Sequence, residues 1–307
     1  MITIAETDLV VHPLCLGGNV FGWSADEAQS IAVLDAYATH GGNFIDTADV
    51  YSEWKEGNTG GDSEKILGRW MKARGNREAM VIATKVAKYS KRPGLSSANI
   101  IAACEESLNR LQTDYIDLYY SHQDDENTSI EETMGAYAQL IAQGKVRNIA
   151  ASNFTPARLQ EALKFSEDNS LPSYIAVQDH DNLMVRNPFE SEMSPVLSEH
   201  GITCIPYFGL ARGFLTGKYQ PGVNVDSVRA GGVTDYTNDK GYAIVSALKE
   251  IATSYNCSIA AIALAWLRAN PTVSVPIASA RTVEQLDEIM QVVELSDTEV
   301  EKLNAIS

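Results

Sequence analysis

Short apolar runs alternate along the chain with longer stretches in which apolar residues recur every three or four positions. Eight runs read as strands: "PLCLG" (13–17), "NFID" (43–46), "AMVIAT" (79–84), "IDLYYS" (116–121), "VRNIAA" (146–151), "YIAVQ" (174–178), "ITCIP" (202–206) and "VSVP" (273–276). The stretches between them carry helix signals. Ser24 with Glu27, Ser129 with Glu132 and Thr282 with Gln285 have the spacing of capping boxes. Thr155-Pro156 reads as an N-cap followed by proline at the first helical position. Ile100, Cys104, Leu108 and Leu111 repeat at helical spacing. Gly41, Gly144 and Gly201 stand between a helical stretch and the next strand, where C-terminal caps fall.

Eight strand-helix units predict a closed parallel (β/α)8 barrel. A count nearer six would point to an open doubly wound sheet. Barrels of this kind use a single domain, so residues 1–307 are read as one. Two features exceed the minimal barrel. Residues 209–240 form a long glycine-rich excursion after strand seven, and two helices, roughly 240–255 and 259–269, precede strand eight. Loops of that length are usually functional or disordered.

Composition narrows the function. The formal net charge of −16 argues against a general nucleic-acid binder, whose affinity comes from neutralising phosphates. Any anionic ligand therefore needs a local basic pocket. Cys15, Cys104, Cys204 and Cys257 are far apart and form no C-x-x-C pair, which fits buried thiols in a reducing compartment. The N-terminal "MITIAETDLV" does not read as a signal peptide, and "CSIAAIALAWLRA" is too short to span a bilayer. A cytoplasmic protein with no membrane or nucleic-acid partner is expected.

In a parallel barrel the active site lies at the C-terminal ends of the strands. Asp46 closes strand two, and Tyr51 follows in the loop beyond it. Lys85 comes directly after strand three, and His122 directly after strand four. Neighbouring strands bring these four residues toward one pocket. A phenol is a poor acid at neutral pH, an adjacent ammonium favours its ionised form, and a carboxylate holds the ammonium charged. The phenol can then protonate a developing alkoxide while the imidazole donates a hydrogen bond to the same oxygen.

These residues, with "GGNFIDTADVY", "VIATKV", "SLNRLQTDYIDLYYSH", "GKVRNIAASNF" and "LARGFLTGKY", resemble the aldo-keto reductase superfamily over nearly the whole chain. The resemblance implies a TIM barrel and NADP(H)-dependent carbonyl reduction. The tetrad would be Asp46, Tyr51, Lys85 and His122, with the proton coming from Tyr51. It implies that Ser152, Asn153 and Gln178 hold the nicotinamide amide and that Tyr207 stacks on the ring. Leu210, Gly213, Leu215 and Lys218 would cover the pyrophosphate. Ser279 and Arg281 would meet the adenosine 2′-phosphate, with Gln285 and Glu288 on the adenine side. An arginine beside a helix start also suits a phosphate physically. The chain departs from the family pattern at Asp179, His180 and Asp181 after strand six, at Phe208 and Gly209 after strand seven, at Ile277 after Pro276, and at Ile289.

Trp23 and Trp54, in the first two strand-to-helix loops, are expected either to wall a substrate pocket or to pack beneath the loops. No metal site is read. Asp124, Asp125, Asp179, His180 and Asp181 show no H-x-H or helical histidine pair, and Lys85 would sit among them. Asp124, Asp125, Glu126, Asp179 and Asp181 are instead expected around the barrel mouth, where they favour neutral or sugar-like carbonyl substrates over carboxylates. The expected partner is a small-molecule carbonyl compound. The alternatives are a sugar or alcohol dehydrogenase running oxidatively, and a nucleotide-binding regulatory subunit on the same fold.

Overall fold

The computed structural model describes residues 1–223, 225 and 230–307; of the excursion read at 209–240, residues 224 and 226–229 lie outside them. A hairpin opens the chain, with β1 (Ile2–Thr3) antiparallel to β2 (Val10–Val11). The parallel strands follow: β3 (Cys15–Gly17), β4 (Phe44–Asp46), β5 (Val81–Val86), β6 (Ile116–Ser121), β7 (Val146–Ser152), β8 (Tyr174–Gln178), β9 (Thr203–Cys204) and β10 (Ile277–Ala278). They pair in the order β10-β3-β4-β5-β6-β7-β8-β9. A parallel bridge between Cys204 and Val273, with Ile277 N donating to Pro206 O at 3.0 Å, brings the two ends of the sheet together. The architecture is a (β/α)8 barrel.

Alternation along each strand divides the core in two. Leu16, Ile45, Ile82 and Tyr119 face outward to the large cluster shared with the helices. Cys15, Phe44, Ala83, Leu118, Ala150, Ala176 and Ile205 face inward and fill the barrel. Ile4, Leu9 and Val11 of the hairpin join this inner cluster, and Asn43 Nδ2 donates to Val10 O at 3.0 Å. Asn43 directly precedes β4, so the hairpin plugs the N-terminal mouth. The other mouth is left for the site.

The helices between the strands are α1 (Glu27–Thr39), α2 (Asp62–Arg74), α3 (Ser97–Leu111), α4 (Ile130–Ala142), α5 (Pro156–Asp168) and α6 (Ser194–His200). After β9 come α7 (Asp239–Tyr255) and α8 (Ile259–Arg268), the two helices expected ahead of the last strand. Then α9 (Val283–Ile289) and α10 (Asp297–Ile306) close the chain. The sequence reading does not include α10. Leu303 anchors it, and Trp266 Nε1 donates to Asn304 Oδ1 at 2.9 Å.

Several boundaries differ from expectation. The cap of α1 is Asp26 with Gln29, not Ser24 with Glu27, because Asp26 Oδ1 takes the Gln29 N–H at 2.8 Å. Ser129 and Thr282 are N-caps as read, but Glu132 and Gln285 turn elsewhere, to Ser97 N and Arg281 N. The third barrel strand begins at Val81 and runs to Val86, so Lys85 lies within it. The last begins at Ile277, after the run read as strand. Gly41, Gly144 and Gly201 end their helices at φ 80°, 72° and 64°, the left-handed region glycine enters without strain.

Candidate active site

Inward parity continues past the strand ends and selects the side chains of the open mouth. Two residues beyond inward Phe44 is Asp46, and two beyond Ala83 is Lys85. Two beyond Leu118 is Tyr120, and two further is His122. Ser152, Gln178 and Tyr207 follow Ala150, Ala176 and Ile205 in the same way.

Lys85 Nζ lies 2.6 Å from Asp46 Oδ2 and 2.9 Å from Tyr51 Oη, and donates to Thr47 O at 2.8 Å. Tyr51 Oη is 3.2 Å from Asp46 Oδ2. The second oxygen, Asp46 Oδ1, accepts from Gln178 Nε2 at 2.6 Å. Lys85 and Asp46 are 1% and 2% exposed, so each charge depends on the other. Burial lowers the Lys85 pKa, and the Asp46 carboxylate opposes that shift. The Tyr51 phenol moves upward, not downward as the sequence argument expects. Burial is the main cause, and Asp46 adds to it. The phenol therefore rests protonated. His122 moves well below an ordinary imidazole, through burial and then the charges of Lys85 and Lys88. It is neutral at pH 7. Its Nδ1 is buried without a partner among the described residues, so Nε2 is the nitrogen left to face the cavity. The rings of Tyr51 and His122 meet edge to face at 6.0 Å.

This cluster floors a cavity of about 690 Å³. Asp46, Tyr51, His122, Ser152, Asn153, Gln178, Tyr207, Leu210, Gly213, Lys218, Ser279, Arg281, Gln285 and Glu288 all line it. Leu215 does not. It is fully buried in the outer core, because the turn Ala211–Thr216 twists through positive φ at Arg212 (58°) and Gly213 (94°). Trp54 lines the cavity, but Trp23 stands behind it, edge to face at 5.5 Å. Asn153 sits at φ 56°. Its Nδ2 donates to His122 O and Ser152 Oγ, both at 2.9 Å, and its Oδ1 accepts from Tyr207 Oη at 2.9 Å. Tyr207 in turn stacks on His180, at 5.5 Å and 15°.

Among the described residues, none of the acidic residues expected at the mouth lines the cavity, and Glu126 is exposed. Asp124 is held by Arg158 at 2.9 and 3.1 Å. Asp125 accepts from Leu95 N and Thr128 Oγ1 at 2.9 and 2.7 Å. Asp179 accepts from His180 N, and Asp181 is fully buried. Among the cavity's charged lining are Lys88, Arg212, Lys218 and Arg281, against Asp46 and Glu288. The opening is thus locally cationic on a strongly acidic chain.

Sequence reasoning missed Asn19 and Lys88. Asn19 Oδ1 accepts from Ser279 Oγ at 2.7 Å across the cavity wall. Inward parity from Cys15 through Gly17 would have found it. Gly17 itself is needed, since a Cβ there would lie 2.5 Å from Ser279 Oγ.

A closed parallel barrel with a buried carboxylate, ammonium and phenol at its C-terminal mouth defines an oxidoreductase-type site. The chain matches the aldo/keto reductase family over residues 13–307, and it belongs to that family. It is 32% identical over 304 positions to a probable voltage-gated potassium channel subunit beta of Arabidopsis thaliana, covering 95% of this chain and 90% of that protein. It is 32% identical over 311 positions to Protein tas of Escherichia coli K12, with 92% and 90% covered. It is 33% identical over 309 positions to norsolorinic acid reductase stcV of Emericella nidulans, with 94% and 76% covered. Among the described residues, no helix is long and apolar enough to cross a membrane.

Proposed function

We propose that this protein reduces an aldehyde or ketone to an alcohol with NADPH, Tyr51 being the proton donor. The observation that carries the reading is the Asp46–Lys85–Tyr51 chain on the floor of a cavity of ligand size. Support for the cofactor comes from the cavity wall. A cationic lining suits a polyphosphate, and Gly213 and Gly217, at φ 94° and 78°, let backbone approach a ligand closely. Ser152, Asn153 and Gln178 would hold the nicotinamide amide, with Tyr207 against the ring. Leu210, Gly213 and Lys218 would hold the pyrophosphate. Ser279 and Arg281 would take the 2′-phosphate, leaving Gln285 and Glu288 for the adenine. Because α9 has only seven residues, Arg281 carries most of the phosphate argument.

Bound NADPH supplies the hydride. Everything else is done by the side chains. His122, neutral, donates a hydrogen bond from Nε2 to the carbonyl oxygen and orients it. Tyr51 gives its proton to that oxygen as negative charge develops. The phenolate left behind lies 2.9 Å from the Lys85 ammonium, which stabilises it, and Asp46 keeps the ammonium in place. A phenol held high in pKa is the acid form that reduction requires. Free thiols at Cys15, Cys104, Cys204 and Cys257 fit a cytosolic setting. The test is to supply NADPH deuterated at C4 with a panel of aldehydes and look for the label in the alcohol. Unlabelled alcohol, or none from any aldehyde, would count against it.

The similarity to a probable voltage-gated potassium channel subunit beta supports a second reading, a nucleotide-binding regulatory subunit. That reading expects tight NADPH binding with no turnover of bound cofactor in a stopped-flow trial with aldehyde.

A further inference from the structure

We infer that Lys88 selects the substrate, holding an anionic group, a carboxylate in the first instance, on an aldehyde or ketone whose carbonyl sits at Tyr51 and His122. The inference rests on the reading of the site as a carbonyl reductase. Lys88 lines the same cavity as Tyr51, Trp54 and His122. It forms no hydrogen bond or ion pair among the described residues, and the charge it feels is another cation, Lys85. A half-buried ammonium with no counter-charge is destabilised by its surroundings, and an anionic ligand relieves that. Of the five acidic residues that would repel such a ligand, Asp124, Asp125 and Asp179 are bonded elsewhere and Asp181 is buried, while Glu126 is exposed and does not line the cavity.

The backbone before Lys88 is built to aim it. Val86 and Ala87 both pack into the outer core, so the strand alternation breaks there. Ala87 sits at φ 108°, a conformation costly for a residue with a Cβ. It is held on both sides: His122 N donates to Val86 O at 2.8 Å, and Gly94 N donates to Ala87 O at 2.9 Å. Strain maintained in this way at a cavity wall fits a positioned side chain better than a solvated one. Trp54, 51% exposed, offers a flat apolar surface for the body of the same ligand.

The test compares 4-formylbenzoate with its methyl ester in NADPH consumption, using wild type, Lys88→Met, Lys88→Gln and Lys88→Arg. The wild type should prefer the carboxylate in kcat/KM by roughly 10- to 100-fold, the range of one charge-assisted hydrogen bond. That ratio should fall at least about tenfold in Lys88→Met and Lys88→Gln, return in Lys88→Arg, and shrink at high salt. A ratio near one in the wild type, or the same ratio in all four proteins, overturns the inference. Calorimetric binding of 4-methylbenzoate, which has no carbonyl to reduce, separates this question from turnover. Binding weakened by Lys88→Met supports the assignment even if no aldehyde is reduced. Binding indifferent to position 88 overturns it even if aldehydes are reduced well.

Discussion

The two sides of the barrel mouth are built differently. Where β4 and β5 end, three polar side chains satisfy one another. Asp46, Lys85 and Tyr51 are linked at 2.6, 2.9 and 3.2 Å, and Gln178 takes the last carboxylate oxygen. Where β9 and β10 end, Arg281 and Glu288 reach the cavity from loops and a short helix. Among the described residues, neither side chain pairs with another. The first side is organised before any ligand arrives; the second has binding capacity to spare. Of the departures read from the family resemblance, Phe208, Gly209, Ile277 and Ile289 fall on the second side, while Asp179, His180 and Asp181 directly follow Gln178 of β8. A self-bonded cluster loses its function with any one member, whereas a wall of separate contacts can be altered one residue at a time.

Breaking the first side should have the largest effect. Lys85→Met leaves Asp46 buried and unpaired, which costs about 3–5 kcal/mol when one partner of a buried pair is removed. Thermal or urea unfolding should show that loss, and turnover should be close to zero. A variant as stable as the wild type would mean that the pair is not closed in solution. On the second side a single change should be smaller and selective. Arg281→Ala should weaken NADPH by roughly 10- to 100-fold and NADH much less, because only one carries the 2′-phosphate. Equal weakening of both would make Arg281 structural.

The finest distinction concerns a cost of the first side. Asp49, three residues past Asp46, is 3% exposed, and neither carboxylate oxygen has a partner among the described residues. Burial, helped by Glu64, pushes its carboxyl up to about 8, with Arg110 pulling the other way. Below pH 4 the folded and unfolded chains both hold this proton. Between about pH 4 and 8 only the folded chain does, so stability is lost as pH rises through that window. Asp49→Asn, which resembles the protonated acid, should flatten the fall and be more stable than wild type at pH 8 by on the order of 1–3 kcal/mol. Parallel curves of Tm against pH for the two proteins would show that Asp49 is already ionised at neutral pH.

Much of this contrast was legible in the sequence. Seven of the eight strands overlap apolar runs buried on both faces, the last beginning just past its run, and Asp46, Tyr51, Lys85 and His122 lie at or near the ends of their strands. What failed were places where a local backbone turn overrides alternation. Lys88 escaped notice because β5 runs to Val86 and Ala87 then breaks parity. Leu215 was expected at the cavity because its motif is a covering loop, yet positive φ at Arg212 and Gly213 turns it inward. The downward shift expected for Tyr51 considered the ammonium alone. Depth of burial and the nearness of Asp46, which reverse its direction, belong to the folded state. The cap of α1 was misread because Ser24 and Asp26 are both N-cap residue types, each with Glu or Gln three positions on, and only the folded backbone decides between them.

The most direct measurement is single-turnover oxidation of bound NADPH by an aldehyde in the wild type and in Tyr51→Phe, with the NADPH dissociation constant determined for both. If Tyr51 is the proton donor, the chemical step slows by roughly 10²–10⁴-fold, the range for losing a positioned general acid, while NADPH binds equally well. A Tyr51→Phe protein that oxidises bound NADPH at close to the wild-type rate would contradict the account.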